Sequence, residues 1–279
     1  MSQVLPDFHF WRPATWLQVA GPDAAAFLQG QFSNDLRTVS PGAAVYGLWL
    51  NQKGRVLADS FVIKAGPPDA YWVGSYFSPV AVVRERLEGH LIADDVQIED
   101  QTDRWHGLTI FDPVGSVLGG ADEAISFPGR RGSPACEWLM QHEPVRPQGT
   151  ALSAADMEAR RIAAGIAAVP SDIGPGDLPQ EGGLETTAVS FNKGCYLGQE
   201  VMARLHSMGT PRRKLFRVSG AGSIPPAGTA LQQDGRAIGE LRSAVATVGG
   251  WIGLAMFQLA QLKADQPVLG AGGPMRVVV

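Results

Sequence analysis

The sequence predicts an α+β protein with a small β-barrel at its C-terminal end. Up to about residue 208, strand-like runs, hairpins and helical periodicities follow one another irregularly, which favours α+β over a doubly wound parallel sheet. After Pro211, short apolar runs separated by glycine-rich turns replace the helical periodicity, as is typical of a small barrel. The expected division is one region over residues 1–208 and a β-barrel domain over residues 209–279.

The first elements follow from turn and helix signals. Residues 16–19 form a short apolar run, and Gly21-Pro22-Asp23 then begins a helix, with proline in the first turn where its missing N–H costs nothing. Apolar runs at 46–50 and 56–63 flank the turn Asn51-Gln52-Lys53-Gly54 and predict a hairpin. Three more strand-like runs follow, at 71–75, 96–98 and 108–111.

A second helix is predicted after Ser78-Pro79, where four apolar residues recur at helical spacing. Ser153 with Asp156 has the pattern of a capping box and predicts a third helix. Residues 113–135, rich in glycine, alanine and proline, are expected to form irregular surface loops, and residues 170–183 a long functional loop. In the barrel, Gln233-Asp234-Gly235 predicts a hairpin. The barrel strands are expected at 215–218, 229–232, 237–241, 245–252 and 275–279.

Composition restricts the classes of function. The 279 residues are 45% hydrophobic and 18% charged, as in ordinary globular proteins, and the formal net charge of −4 argues against strong nucleic-acid binding through a basic surface. No apolar run approaches the roughly 20 residues that span a bilayer, and residues 1–10 lack a signal-peptide pattern. Cys136 and Cys195 give no disulfide framework, so cytoplasmic residence is expected.

The same two cysteines limit metal chemistry. An iron–sulfur cluster takes four cysteine ligands, or histidine in place of two of them. The five histidines of this chain show no pair at helical ligand spacing. No resident metal or cluster is therefore expected, and at most the chain could share a cluster with a partner through Cys195.

The segment Lys193-Gly194-Cys195-Tyr196-Leu197-Gly198-Gln199-Glu200 is the most informative in the chain. It places a thiol two residues after a lysine and shortly before a predicted helix over 199–206. A nearby ammonium or helix N-terminus lowers the pKa of a thiol, so Lys193 is expected to favour the thiolate of Cys195. The alternative is a buried, inert cysteine in a glycine-rich turn.

The other residues of this segment are predicted to shape its backbone. Gly194 and Gly198 allow positive φ or close approach of a ligand, with Tyr196 between them. Gln199 and Glu200 are expected to cap or orient the helix that follows. These residues are therefore candidate motif residues around a reactive cysteine.

This octapeptide resembles the signature of the YgfZ family, folate-binding proteins related to the aminomethyltransferase (T-protein) of the glycine cleavage system. Further segments resemble the same family in the expected order, and most of residues 10–217 is covered. They are 16–23 with 27–30, 50–59, 160–166 and 178–181. The resemblance implies a T-protein-like fold, with two interleaved α+β lobes before the barrel, and tetrahydrofolate as ligand.

The resemblance also implies ligand-binding residues. Asp59 matches a position where T-proteins carry a catalytic aspartate beside the folate ring, although Ala58 replaces the acid that precedes it there. Glu181 matches a glutamate that pairs with the pterin, since a carboxylate can accept two adjacent N–H groups. Both residues also have a plain alternative, as ordinary solvated acids.

A run of basic residues without acids extends from 204 to 217. A cationic edge suits the glutamate tail of a folate, and Arg212, with Arg204, is the predicted contact. The same edge could bind RNA or an acidic protein, or could simply be a charged linker.

The resemblance implies a tetrahydrofolate-binding accessory protein that supports assembly or repair of iron–sulfur enzymes, including those that thiolate tRNA, through Cys195 beside the folate cavity. Iron–sulfur proteins would be its clients. Two alternatives remain open, a folate-dependent aminomethyltransferase and a folate-independent scaffold. The loss of one acid at Ala58 and the cysteine octapeptide argue against the transferase.

Overall fold

A computed structural model describes residues 5–37, 39–40, 43–65, 69–111, 124–263 and 266–278. The described chain contains two five-stranded sheets, a closed six-stranded barrel and short helices. The α+β architecture with a C-terminal barrel is thereby confirmed.

Within the described part of the chain, ten strands precede the barrel. They are β1 (Asp7–Trp11), β2 (Thr15–Ala20), β3 (Ala44–Leu50), β4 (Val56–Lys64), β5 (Ala70–Ser75), β6 (Gln97–Asp100), β7 (His106–Phe111), β8 (Ile125–Pro128), β9 (Ala135–Met140) and β10 (Thr150–Ala151). The first sheet has the order β3-β4-β5-β2-β6 and the second the order β10-β1-β7-β9-β8. Because β1 precedes the whole first sheet but pairs inside the second, the two lobes are interleaved along the chain.

Five α-helices of the described residues connect these strands and lead to the barrel. They are α1 (Ala24–Gln31), α2 (Val80–Glu88), α3 (Ala154–Ala163), α4 (Glu185–Ala188) and α5 (Gln199–Met208), with 3₁₀ turns at Thr102–Arg104 and Pro179–Gly182. The predicted capping box of α3 is confirmed, since Ser153 Oγ accepts from Asp156 N–H and the Asp156 carboxylate accepts from Ser153 N–H. Within the described residues, no helix has the length and apolarity needed to cross a bilayer.

The first sheet has a hydrophobic core on each face. Helices α1 and α2 cover one face, where Phe27, Val83 and Leu87 pack against Trp49 and other strand residues. The other face packs against the second sheet through a mostly aromatic cluster. Its buried members are Trp16, Phe61, Ile63, Trp105, Phe127 and Leu139. The helical spacing seen in the sequence therefore marks real core positions of α2.

One stretch differs from the sequence-based expectation of irregular loops. Residues 113–123 lie outside the described residues, but 125–128 form β8 and residue 135 begins β9. Among the residues that the structure describes, β8 is an edge strand paired with β9 alone, and Pro128 at its end needs no donor for the ladder. β8 and β9 form an antiparallel hairpin that the glycine and proline content of this stretch conceals.

The barrel begins at Arg213, a few residues after the predicted boundary. Its strands are β11 (Arg213–Gly220), β12 (Ala230–Gln233), β13 (Arg236–Thr247), β14 (Gly250–Gln258), β15 (Val268–Gly270) and β16 (Gly273–Val278), closed in the order β11-β14-β13-β12-β15-β16. Positive φ at Asp234 (51°) and Gly235 (74°) confirms the predicted hairpin turn.

Three arginines join the barrel to the rest of the chain. Arg213 at the start of β11 and Arg242 on β13 both bind the buried Asp177, at 2.9 and 3.3 Å. From the other side, Arg161 on α3 donates to Ser243 Oγ of β13 at 3.1 Å. These charge-assisted contacts fix the barrel against the loop over 170–183.

Candidate functional site

The cysteine segment lies against the hairpin turn between β3 and β4. Gly198 has φ of 86°, and a Cβ added there would lie 2.7 Å from the carbonyl oxygen of Asn51 and 3.1 Å from Cα of Gly54. Gly54, with φ of 68°, would in turn place a Cβ 3.1 Å from Val201. Only glycine allows both the positive φ and this backbone contact. Two segments that are distant in sequence therefore form one compact unit.

Cys195 is presented at the surface of this unit. Its side chain is exposed and free of any disulfide. Gly198 is the N-cap of α5, Gln199 is its first residue, and Glu200 provides an acid in the first turn, where it interacts favourably with the helix dipole. Gly194 is exposed, with open space around its Cα. The buried-cysteine alternative does not apply to this thiol.

Lys193 has a different set of partners from the one expected. Its Nζ donates to the carbonyl oxygens of Gln29, Phe32 and Asn34, at 2.6, 2.5 and 3.0 Å. All three ammonium protons are therefore engaged at the C-terminal end of α1, where a cation suits the helix dipole. Burial lowers the pKa of Lys193 to about 8. The structure makes Lys193 an anchor for the loop, and its predicted action on the thiol remains a prediction.

Tyr196 anchors the other side of the same loop. Its ring is buried in the cluster that contains Leu48 and Met202, and it lies 5.0 Å from the ammonium of Lys193. Burial raises the pKa of Tyr196 to about 12. Lys193 and Tyr196 thus point inward while Cys195 between them points outward.

Asp59 lies on β4, away from the cysteine segment, and is 4% exposed. Its carboxylate accepts hydrogen bonds from Ser75 Oγ and Ser78 Oγ, both at 2.6 Å, and from Tyr46 Oη at 3.0 Å. Burial raises the pKa of Asp59, while the hydroxyl donors and the positive charge of Arg130 oppose that rise. Asp59 is a buried, preorganised acceptor and not a solvated acid.

A cavity of about 170 Å³ opens beside Asp59, between the two sheets and α3. Its walls combine aromatic rings and arginines: Trp11, Tyr76, Phe77, Arg130, Arg131 and Arg161. The guanidinium of Arg130 lies 4.5 Å from the centre of the Tyr46 ring and donates to the carbonyl of Ala167 at 3.2 Å. A concave, largely apolar space with a few fixed polar groups is the usual form of a small-molecule site.

A buried ion pair between Arg131 and Glu137 fixes the aromatic wall of this cavity at Tyr76. Arg131 lies 3.7 Å over the Tyr76 ring and donates to the carboxylate of Glu137 at 3.0 Å. Glu137 also accepts from Tyr76 Oη at 2.8 Å and from Thr109 Oγ1 at 2.7 Å. The aromatic wall is therefore rigid before any ligand enters.

Glu181 faces a different environment from Asp59. Its carboxylate forms a two-point pair with Arg213, with both N···O distances 2.9 Å, and accepts from Leu178 N–H at 2.7 Å. Among the described residues that line the cavity beside Asp59, neither Glu181 nor Cys195 is present. The structure thus separates three residues that the resemblance had assigned to one site.

The predicted tail contacts are also away from this cavity. Arg204 is exposed on α5, and Arg212 is exposed just before β11. Arg213, from the same basic run, is engaged by Glu181 and Asp177. The basic edge exists at the surface, but its arginines do not line the cavity beside Asp59.

Comparison with known proteins identifies the family. Residues 14–117 match the GCVT N-terminal domain family, and residues 212–279 match the C-terminal β-barrel domain of CAF17. The human mitochondrial iron–sulfur cluster assembly factor IBA57 is 32% identical, over 93% of this chain and 79% of the human protein. The chain belongs to the IBA57 family. The mouse IBA57 protein is 30% identical over 88% of this chain and 76% of its own length.

A solved structure shows the same fold as this IBA57-family chain. The glycine cleavage system aminomethyltransferase T from Bartonella henselae superposes with a TM-score of 0.78, covering 100% of this chain and 86% of its own, at 17% identity. The T-protein-like fold is therefore confirmed. Membership of the wider GcvT-related superfamily is shown as well, while the narrower YgfZ assignment is not. The curated IBA57 relatives are mitochondrial, whereas the cytoplasmic expectation for this chain rests on composition.

Several residues that line the cavity beside Asp59 carried no clear sequence signal. Trp11 and Tyr76 look like ordinary strand residues, and Arg130 and Arg131 fall in a stretch expected to be loop. The one available signal is the adjacent arginine pair enclosed by Gly129 and Gly132, since glycines in a loop allow close approach of a ligand.

Proposed function

We propose that this protein supports the assembly or repair of iron–sulfur enzymes, those that thiolate tRNA among them, and that Cys195 is the residue through which it acts. The observation that carries the proposal is an exposed thiol on a loop whose neighbours are anchored: Lys193 on α1, Tyr196 in the core and Gly198 on the β3–β4 turn. Relatives named as iron–sulfur cluster assembly factors support the same role.

In this proposal the cluster is cargo. The Cys195 thiol gives up its proton and forms a sulfur–iron bond, while a thiolate of the partner leaves that iron and takes up a proton. No atom is oxidised or reduced. The remaining ligands come from the partner, since Cys136 is half-buried on β9 and burial raises the pKa of its thiol.

Replacement of Cys195 tests this role directly. In cells that lack the protein, Cys195→Ser should restore little iron–sulfur enzyme activity at wild-type protein level, while the matched variant Cys136→Ser restores it fully. The activity of iron–sulfur enzymes in extracts is the measurement. Full rescue by Cys195→Ser would remove the thiol from the mechanism.

We also propose that the cavity beside Asp59 binds tetrahydrofolate. Its volume of about 170 Å³ suits a flat ring system, because an apolar cavity of about 150 Å³ can bind benzene. Asp59 would accept hydrogen bonds from the ring, and Arg130 would lie against it. Bound tetrahydrofolate would supply a reduced pteridine that can carry one-carbon units. The confirmed fold supports this proposal.

Calorimetric titration with tetrahydrofolate tests the ligand. Arg130→Met should weaken binding about tenfold or more, because it removes a partly buried cation from the ring site. The exposed arginine variant Arg84→Gln should bind like wild type. Glu181→Gln distinguishes the two assignments of the pterin partner: unchanged affinity agrees with the cavity beside Asp59, while lost binding in a folded protein favours Glu181.

One observation favours a folate-dependent aminomethyltransferase as the alternative. The GCVT domain match covers 14–117 and includes Asp59, which faces the cavity. Ala58, however, is fully buried beside it and offers no second carboxylate. Formation of methylene-tetrahydrofolate from an aminomethylated carrier protein would establish this activity, and its absence in a folate-binding protein would exclude it.

A further inference from the structure

A second open space lies on the outer side of the cavity beside Asp59. This groove has a volume of about 610 Å³ and is lined by Phe10, Trp11, Arg12, His106, Glu143 and Arg146, among other residues. Trp11 and Arg12 also line the inner cavity. The inner cavity and the outer groove therefore meet at the last residue of β1 and the residue after it.

The groove depends on a specific backbone arrangement at this junction. Trp11 pairs with Gly107 across β1 and β7, and a Cβ on Gly107 would lie 2.3 Å from the Trp11 ring. Gly107 thus lets the indole lie flat on the strand. The Trp11 ring also contacts the Tyr76 ring in an edge-to-face arrangement, with ring centroids 5.0 Å apart.

The groove is lined by two exposed arginines and one acid, Glu143, which leaves it with a net positive charge. Arg12 is exposed and donates to the main-chain carbonyls of Asp103 and Trp105, at 3.3 and 3.2 Å. Arg146 is exposed, with its guanidinium 5.5 Å from the Phe8 ring. Within the part of the chain that the structure describes, neither arginine has a carboxylate within 4.0 Å. Such a pair of free guanidinium groups suits carboxylates or phosphates.

Size and charge together suggest one extended ligand. The inner cavity holds little more than a ring system, so the rest of a larger molecule must leave it. The shared wall at Trp11 and Arg12 directs that exit into the cationic groove. A molecule with a flat head and a chain of carboxylates fits both spaces.

We propose that the inner cavity and the outer groove form one binding path, in which Arg12 and Arg146 hold the oligoglutamate tail of a folate whose ring lies beside Asp59. This inference rests on the folate binding proposed above. It replaces Arg204 and Arg212, which the sequence had indicated, with Arg12 directly after β1 and Arg146 between β9 and β10.

The test compares tetrahydrofolate with its pentaglutamate form by calorimetry at low ionic strength. Wild type should bind the pentaglutamate about tenfold more tightly, as expected for exposed charge pairs. Arg12→Gln/Arg146→Gln should lose that advantage and bind the two folates with equal affinity. The matched variant Arg84→Gln/Arg236→Gln should keep it. The single variant Arg146→Gln should fold normally, because Arg146 makes no hydrogen bond that the described structure shows. It should lose part of the preference for the pentaglutamate.

Three results would overturn the inference. One is equal binding of the two folates by wild type, and another is an unchanged tail advantage in Arg12→Gln/Arg146→Gln. The third is loss of the advantage in Arg204→Gln/Arg212→Gln instead. In each case the monoglutamate still binds and the proposed folate site stands, whereas failure of both folates to bind would overturn the two proposals together.

Discussion

Lys193 illustrates how a residue beside a reactive group can serve the backbone instead of the chemistry. Lys193 is 7% exposed, and its ammonium donates to three main-chain carbonyls at the end of α1. Sequence proximity to Cys195 suggested a direct electrostatic role. The geometry supports an indirect one, in which the lysine fixes the position from which the thiol is presented.

Removal of this ammonium should destabilise the protein. Lys193→Met leaves three carbonyl acceptors without a donor, so we expect the free energy of unfolding to fall by about 2–4 kcal/mol. Lys53→Met, on the exposed β3–β4 turn, is the matched control and should change it by less than about 0.5 kcal/mol. Urea unfolding measures both, and equal stability of the two variants would contradict the anchoring role.

Asp59 should make stability depend on pH. Because burial raises the pKa of Asp59 in the folded protein above its ordinary value, the folded state holds this proton more tightly than the unfolded state does. The stabilisation of the folded state by this proton is therefore complete below about pH 4, the ordinary pKa range of an aspartate. It is lost as pH rises through the pKa of Asp59 in the folded protein. In Asp59→Asn, the part of the fall in the free energy of unfolding with rising pH that comes from Asp59 should be absent.

The measurement is urea unfolding of wild type and Asp59→Asn at several pH values from 4 upward. Asn keeps an oxygen for Ser75 and Ser78, so the variant should fold. If the free energies of unfolding of wild type and Asp59→Asn differed by the same amount at every pH, the pKa of Asp59 would not be raised in the folded protein.

At the scale of elements, the contact between the β3–β4 turn and the start of α5 determines where the thiol lies. Gly198 should not tolerate a side chain, since a Cβ would meet Asn51 oxygen at 2.7 Å at a residue with φ of 86°. Gly194→Ala is the matched control from the same loop, because nothing lies within 4 Å of its Cβ position.

We expect Gly198→Ala to reduce the free energy of unfolding by about 1–3 kcal/mol and to change the rate at which a disulfide reagent modifies Cys195. Gly194→Ala should alter both quantities little. If Gly198→Ala behaved like Gly194→Ala in unfolding and in thiol labelling, the turn would not control the cysteine loop.

The elements that sequence reasoning predicted correctly are those with strong local signals. Ser153 and Asp156 mark the start of α3, Asp234 and Gly235 mark a hairpin, and helical spacing marks α2. The hairpin of β8 and β9 was missed because the glycine and proline content around it indicates loop, and with it Arg130 and Arg131 of the cavity, which lie in its turn. The resemblance to T-proteins also placed Asp59 and Glu181 in one expected pocket, although the partner of Glu181 is Arg213.

At the scale of the whole molecule, Arg213 connects the barrel to the loop over 170–183. It binds the buried carboxylates of Asp177 and Glu181, each at 2.9 Å. Arg213→Met leaves charge in these buried positions less well compensated, so the free energy of unfolding should fall by about 2–4 kcal/mol. Lys263→Met breaks an exposed pair with Asp234 and should change it by less than about 1 kcal/mol.

Differential scanning calorimetry and limited proteolysis distinguish the two variants. Arg213→Met should unfold at lower temperature and expose the connection between α5 and β11 to cleavage, because the barrel loses a main point of attachment. An Arg213→Met protein as stable and protease-resistant as Lys263→Met would show that apolar packing alone holds the barrel.

The position of β1 has a consequence for biosynthesis. This first strand pairs with β7 and β10, and its last partner, Ala151, is 143 positions after Phe8 in their register. All strands of the first sheet are therefore synthesised before the second sheet can be completed. β1, which contains Phe8, stays unpaired while the first sheet folds. A fragment truncated before residue 106 and released from the ribosome should protect the first sheet from protease and leave the β1 segment open to digestion.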